Sequence, residues 1–190
     1  KNRWKIWVYP RNQIAFDEVL YTRSFEVAQR GLEERMKVLF NPDFKEIKGV
    51  TGRFVPVFWS PVHFPDQPAT MGVLCDPSHP ALADFPTDFH SDWQWWDLNI
   101  NSKAMILDGL DVDPIVRVID NFVTNRSLGS IFEAKVGEGK LLMTSIDLST
   151  DLDNRIVARQ MRRSLVSYME SNHFKPTKML DFETIRKLEE

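Results

Sequence analysis

A single cysteine, Cys75, occurs among the 190 residues of this chain. One thiol excludes an intrachain disulfide and a multi-cysteine zinc site. No apolar run approaches the length that spans a bilayer, which argues against a membrane partner. Charge of one sign is also missing: 24 basic and 27 acidic residues leave a net charge of −3. With the basic side chains scattered, nothing attracts nucleic acid or an anionic membrane surface. The 4 histidines, His63, His79, His90 and His173, show neither HxH nor HExxH spacing, so the usual zinc signatures are absent. No P-loop occurs, and Tyr9-Pro10-Arg11-Asn12 stands where a Gly-rich dinucleotide turn would follow a first strand. No cofactor and no metal are therefore expected. Internal repeats and low-complexity linkers are missing too.

What is present is enough chain for one substantial domain, burying roughly 70 % of its unfolded surface. Lys1 opens it without a methionine or signal peptide, as a piece of a longer or processed protein would. Trp4–Tyr9 alternates and is rich in β-formers, which predicts a first strand ended by Pro10. Thr22 or Ser24 can cap a helix that carries Phe25, Ala28 and Leu32 on one face. Lys37–Phe40 is the next strand. Strand, crossover helix and strand make the unit of a parallel α/β sheet. Phe54–Trp59, Met71–Cys75, Ala104–Asp108 and Ile115–Asp120 are further extended runs. Ser130–Val136 and Lys140–Ile146 flank Gly137-Glu138-Gly139 and predict an antiparallel hairpin. Thr150 or Asp151 then caps a helix striped by Leu152, Ile156, Met161, Leu165 and Tyr168. After Pro176 a short helix shows Phe182, Ile185 and Leu188, with either this domain or another chain to dock on. Residues 1–174 are read as the domain and 175–190 as a helical extension.

Chemistry is concentrated between Arg53 and Leu98, where tryptophan, histidine and proline gather. Cys75 ends an apolar run and is followed by Asp76, which raises a neighbouring thiol's pKa, the wrong direction for activation. A small buried hydrophobe is the plainer role for it. Asp147, Asp151 and Asp153 lie where helix capping explains them. Picking two carboxylates for glycoside hydrolysis out of 27 acidic residues proves nothing. If Asp88–Asn99 is helical, Phe89, Trp93 and Trp96 share a core face. Trp95 then points about 160° away, toward a loop, a partner or a flat ligand such as a sugar. Trp59-Ser60-Pro61-Val62-His63 is the candidate second wall. The candidate sugar or interface contacts are thus Trp59, His63, His90 and Trp95, with no catalytic residue among them.

Longer strings carry a resemblance. GRFVPVFWSPVHFPDQPATMG, LCDPSHPALADFPTDFHSDWQWWDL, PIVRVIDNF and FEAKVGEGKLLMTSIDL followed by RQMRRSL are similar to the C-terminal part of bacterial family 2, β-galactosidase-like glycoside hydrolases. The likeness runs from Trp4 to about Met169. It implies a three-layer, flavodoxin-like fold of the class I glutamine amidotransferase type, mostly parallel with a late antiparallel hairpin. The amidotransferase Gly-x-Cys-x-Gly elbow and His-x-Glu are absent, and no position matches the two glycosidase glutamates, which the family carries on an upstream (β/α)8 barrel. The resemblance therefore implies a non-catalytic accessory domain of a carbohydrate-active enzyme, periplasmic or extracellular. Its implied partners are the rest of the parent glycosidase chain, with a homo-oligomer and a carbohydrate also open. Two alternatives stand beside it: a carbohydrate-binding module using exposed tryptophans, and a small hydrolase using Cys75 with a histidine.

Overall fold

The computed structural model describes residues 1–11, 15, 17–53, 62–65 and 70–189. Its first regular element is β1 (Val19–Thr22), followed by α1 (Phe25–Glu33) and β2 (Lys37–Phe40). Ser24 caps α1, its hydroxyl accepting from the Val27 amide at 3.4 Å, and Phe25, Ala28 and Leu32 face inward. Gly31 lets the helix lie close on the sheet; a Cβ there would meet Leu20 Cδ2 at 2.4 Å. β1 and β2 run parallel across this crossover, as the sequence pattern implies.

The later elements are β3 (Gly49–Thr51), β4 (Gly72–Cys75), a short 3-10 turn at Pro80–Leu82, α2 (Trp95–Ile100), β5 (Lys103–Ile106) and β6 (Pro114–Ile119). β7 (Leu128–Val136), β8 (Gly139–Thr144), α3 (Ile156–Glu170), β9 (Met179–Leu180) and α4 (Phe182–Arg186) complete the chain. β7 and β8 form the expected hairpin, with Gly137 at φ 58° opening its two-residue turn.

β7 is the hub of one mixed sheet. It pairs with β8 and β5 along one edge and with β6 and β9 along the other. β1–β2, β2–β8 and β7–β9 are parallel. β3–β5, β4–β6, β5–β7, β6–β7 and β7–β8 are antiparallel. The mostly parallel, flavodoxin-like and amidotransferase-like sheet expected above is therefore corrected to a mixed, mostly antiparallel one. The cause is connectivity: parallel neighbours need a long crossover, whereas β6, β7 and β8 follow one another through turns too short to provide it.

Helices cover both faces. α2, α3 and the 3-10 turn close a core built on Leu39, Val116, Ile131 and Leu142. α1 and α4 close a second core on Val38, Phe132, Leu141 and Met143. Ile185 and Leu188 are buried in that second core, and β9 extends β7, so the tail docks on this domain.

Three local expectations fail for identifiable reasons. Trp4–Tyr9 is no sheet strand but a strap on the outside of the body, tied by side chains: Lys5 pairs with Asp88, and the Trp7 indole donates to Pro86 O at 3.1 Å. Its alternation is genuine; Trp4, Ile6 and Val8 face solvent while Trp7 and Tyr9 turn inward. α3 begins at Ile156, with neither Thr150 nor Asp151 as its cap. Asp151 takes a left-handed φ of 49° and its carbonyl accepts from the amides of Asn154 and Arg155, which closes a separate turn. The third failure concerns the helix around Trp95, treated below. The predicted strand Phe54–Trp59 lies outside the described residues.

Candidate functional site

Residues 86–93 are not helical. They lie extended along the outer edge of β4, where the Cys75 amide donates to Phe89 O at 3.0 Å and the Val73 amide to Ser91 Oγ at 2.8 Å. His90 bridges Leu74 there. The helix therefore starts only at Trp95, and this later start reverses which indoles face inward. Trp95 is 0 % exposed, whereas Phe89 is 62 %, Trp93 78 % and Trp96 46 % exposed. The Trp95 indole N–H donates to Thr87 Oγ1 at 2.8 Å, and Phe85 meets its ring edge-on at 5.3 Å. Tyr9 from the strap stacks on Phe85 at 6.4 Å and its hydroxyl donates to the Gln94 carboxamide oxygen. Trp95 is thus a core pillar, out of reach of a sugar or a partner.

The other nominated residues do not join it. His63 and His90 are exposed. The His90 imidazole approaches Ser91 O at 3.0 Å and meets Phe89 edge-on at 4.7 Å. Trp59 lies outside the described residues.

Cys75 is half-buried at the end of β4. Burial, then the negative charges of Asp92 and Asp76, pushes its thiol up to about 11. Such a thiol is protonated at neutral pH and makes a poor nucleophile. His79 does not activate it: its Nδ1 accepts from the Ala81 amide at 3.1 Å, and burial lowers its pKa, which holds the ring neutral. Among the described residues, no group of three or more His, Cys, Asp or Glu is placed to hold a metal ion. No described helix is long and apolar enough to cross a membrane.

Where β1, β2 and β8 run parallel, their carboxyl ends open on a cleft of about 270 Å3 lined by Arg23, Asp43, Phe44, Asn101 and Asp147. Strand ends of this kind are where α/β sheets place ligands. The acids here are already engaged. Asp43 pairs with Arg23 at 3.1 Å, and Asp147 Oδ1 accepts from the amides of Ser149 and Thr150, each at 3.0 Å. Burial alone would raise the Asp147 pKa, but these hydrogen bonds outweigh it and hold it below the ordinary value. Arg155 clamps Asp147 at 3.1 Å and Asp97 of α2 at 3.0 Å. The cluster fastens the start of α3 to α2 and to the loop after β8. The sequence gives this clamp no signature, because Asp97 lies about fifty residues ahead of Asp147 and Arg155 along the chain. The strap escapes sequence reasoning for a different reason, since alternation marks an extended segment without saying what it pairs with; the exposure of Trp93 escapes it because the helix starts only at Trp95.

A mixed sheet centred on β7 with helices on both faces describes a small α/β domain. Residues 20–190 match the family described as Domain of unknown function (DUF8487), and the chain belongs to that family. Comparison with curated proteins gives no match.

Proposed function

We propose that this chain is a non-catalytic accessory domain of a β-galactosidase-like glycoside hydrolase, docked on the rest of its parent through the face around Phe89 and Trp93. The string resemblance supports the parent, and with it a place outside the cytoplasm. The exposed aromatic face supports the docking and carries the reading. Phe89 and Trp93 stand in solvent beside the strap, whose Lys5 reaches Asp88 and whose Trp4, Ile6 and Val8 are also exposed. Large apolar side chains exposed in one region of a surface mark interaction sites.

The 190 residues alone are expected to turn over no aryl-galactoside; measurable turnover would refute the non-catalytic reading. In the parent polypeptide, Trp93→Lys combined with Phe89→Lys is expected to loosen the domain against its neighbour. Limited proteolysis between the two would accelerate, and unchanged cleavage would refute docking through this face. A parent lacking a (β/α)8 barrel would refute the glycosidase assignment.

A further inference from the structure

An open groove of about 570 Å3 lies between the strap and the body, lined by Trp7 and Tyr9 on one side and by Asp84 and Gln160 on the other. That volume falls within the roughly 300–1,000 Å3 of small-molecule sites. The donors of its wall are already committed. The Trp7 indole donates to Pro86 O, the Tyr9 hydroxyl to Gln94, and Lys5 pairs with Asp88. The acceptors are open. Gln160, only 5 % exposed, gives its amide N–H to Asp84 O, and its carbonyl has no hydrogen-bond partner among the described residues. The Asp84 carboxylate is ion-paired with Arg163 Nε at 3.7 Å and, being acceptor-only with several lone pairs, can still accept hydrogen bonds.

Open acceptors beside flat rings select a ligand that donates hydrogen bonds from one side and offers an apolar face on the other. The two charged residues of the lining are each paired, Asp84 with Arg163 and Lys5 with Asp88, so neither calls for a charged ligand. We propose that this groove binds a neutral pyranose sugar, its C–H face against Trp7 and its hydroxyls donating to Asp84 and Gln160. The choice of a galactoside as first probe rests on the glycosidase reading; the site itself does not.

The test follows the indole N–H resonances of the 15N-labelled chain during titration with methyl β-galactoside and methyl β-glucoside to ~100 mM, well above a millimolar dissociation constant. The Trp7 signal, identified by its loss in Trp7→Ala, is expected to move with saturation, and that of buried Trp95 to stay. Trp7 belongs to neither apolar core, so Trp7→Ala should keep the fold. Asp84→Asn is expected to weaken binding about tenfold. No movement of Trp7 with either sugar would overturn the site while leaving the accessory-domain reading to its own tests. Movement of Trp93 alone, or a response to tetramethylammonium in place of sugar, would overturn it equally. Binding of the glucoside but not the galactoside would support the site and count against the galactosidase parent.

Discussion

Replacing Asn41 tests how the parallel part of the sheet is held. The side chain sits just past the end of β2, 1 % exposed, and makes four hydrogen bonds. Its Nδ2 donates to Thr144 O at 3.1 Å and to Ile146 O at 2.7 Å. Its Oδ1 accepts from the Tyr21 hydroxyl at 3.0 Å and from the Leu148 amide at 3.2 Å. One carboxamide thus continues the β2–β8 pairing beyond the last ladder residue and ties β1 to it. Asn41→Ala strips partners from three backbone groups in a dry site, each worth about 1–3 kcal/mol. With partial relaxation the expected loss is about 4 kcal/mol, a large share of the roughly 5–15 kcal/mol typical of a domain. The melting temperature should fall by about 8–16 °C. In urea the midpoint should drop with the slope unchanged. Asn41→Asp should be at least as damaging near neutrality, since it faces two carbonyl oxygens with a carboxylate, and should recover in part when acid protonates it. A loss below about 1 kcal/mol for Asn41→Ala, the ordinary effect of a point mutation, would refute the argument.

Trp95→Ala should cost about 3–5 kcal/mol by emptying the core between Phe85 and Leu98. Trp93→Ala, at an exposed position, should stay within about 0.5 kcal/mol in the same unfolding assay; similar losses for both would contradict the inward and outward assignment. Native Cys75 should resist iodoacetamide until the pH approaches its raised pKa of about 11. Rapid labelling at pH 7 would show that its burial is misjudged. Burial would raise the Asp120 pKa, but hydrogen bonds from the Arg126 side chain and amide and from Thr124 outweigh it and lower it to about 2. A depressed carboxylate stabilises the fold above its unfolded value of about 3.9 and loses that contribution as pH falls toward 2. About 1–2 kcal/mol should vanish over that window and be absent from Asp120→Asn; identical acid titrations would exclude the role.

Local signals carried the parts of the fold that depend on near neighbours. Ser24 and the Phe25, Ala28, Leu32 stripe marked α1, Lys37–Phe40 marked β2 with its full extent, and Gly137-Glu138 marked the hairpin. What failed depends on distant partners. Nothing in WKIWVY says that its ladder position is unfilled, and nothing in FHSDWQWW says that the β4 edge draws residues 89–91 out of a helix. That one displacement moved the helix start from Asp88 to Trp95 and exchanged buried for exposed indoles, which undid Trp95 as a candidate contact. Strand direction was illegible for the same reason, since β5, β6 and β7 show the same β-rich composition in either orientation. For Cys75 the neighbour visible in the sequence, Asp76, is the smallest of the three causes; burial and then Asp92 do more to raise the thiol's pKa.

The central position of β7 bears on how the nascent chain matures. β2 waits for β8, a partner about a hundred residues later, and β9 and α4, which finish one edge and one core, come last. Until the ribosome has released nearly all of this segment, β1, β2 and α1 have no completed platform and their apolar sides remain available to chaperones or to aggregation. Truncations from the carboxyl end should therefore harm solubility more than equal trimming ahead of the first strand, and amides at the middle of β7 should be the last to exchange with deuterium.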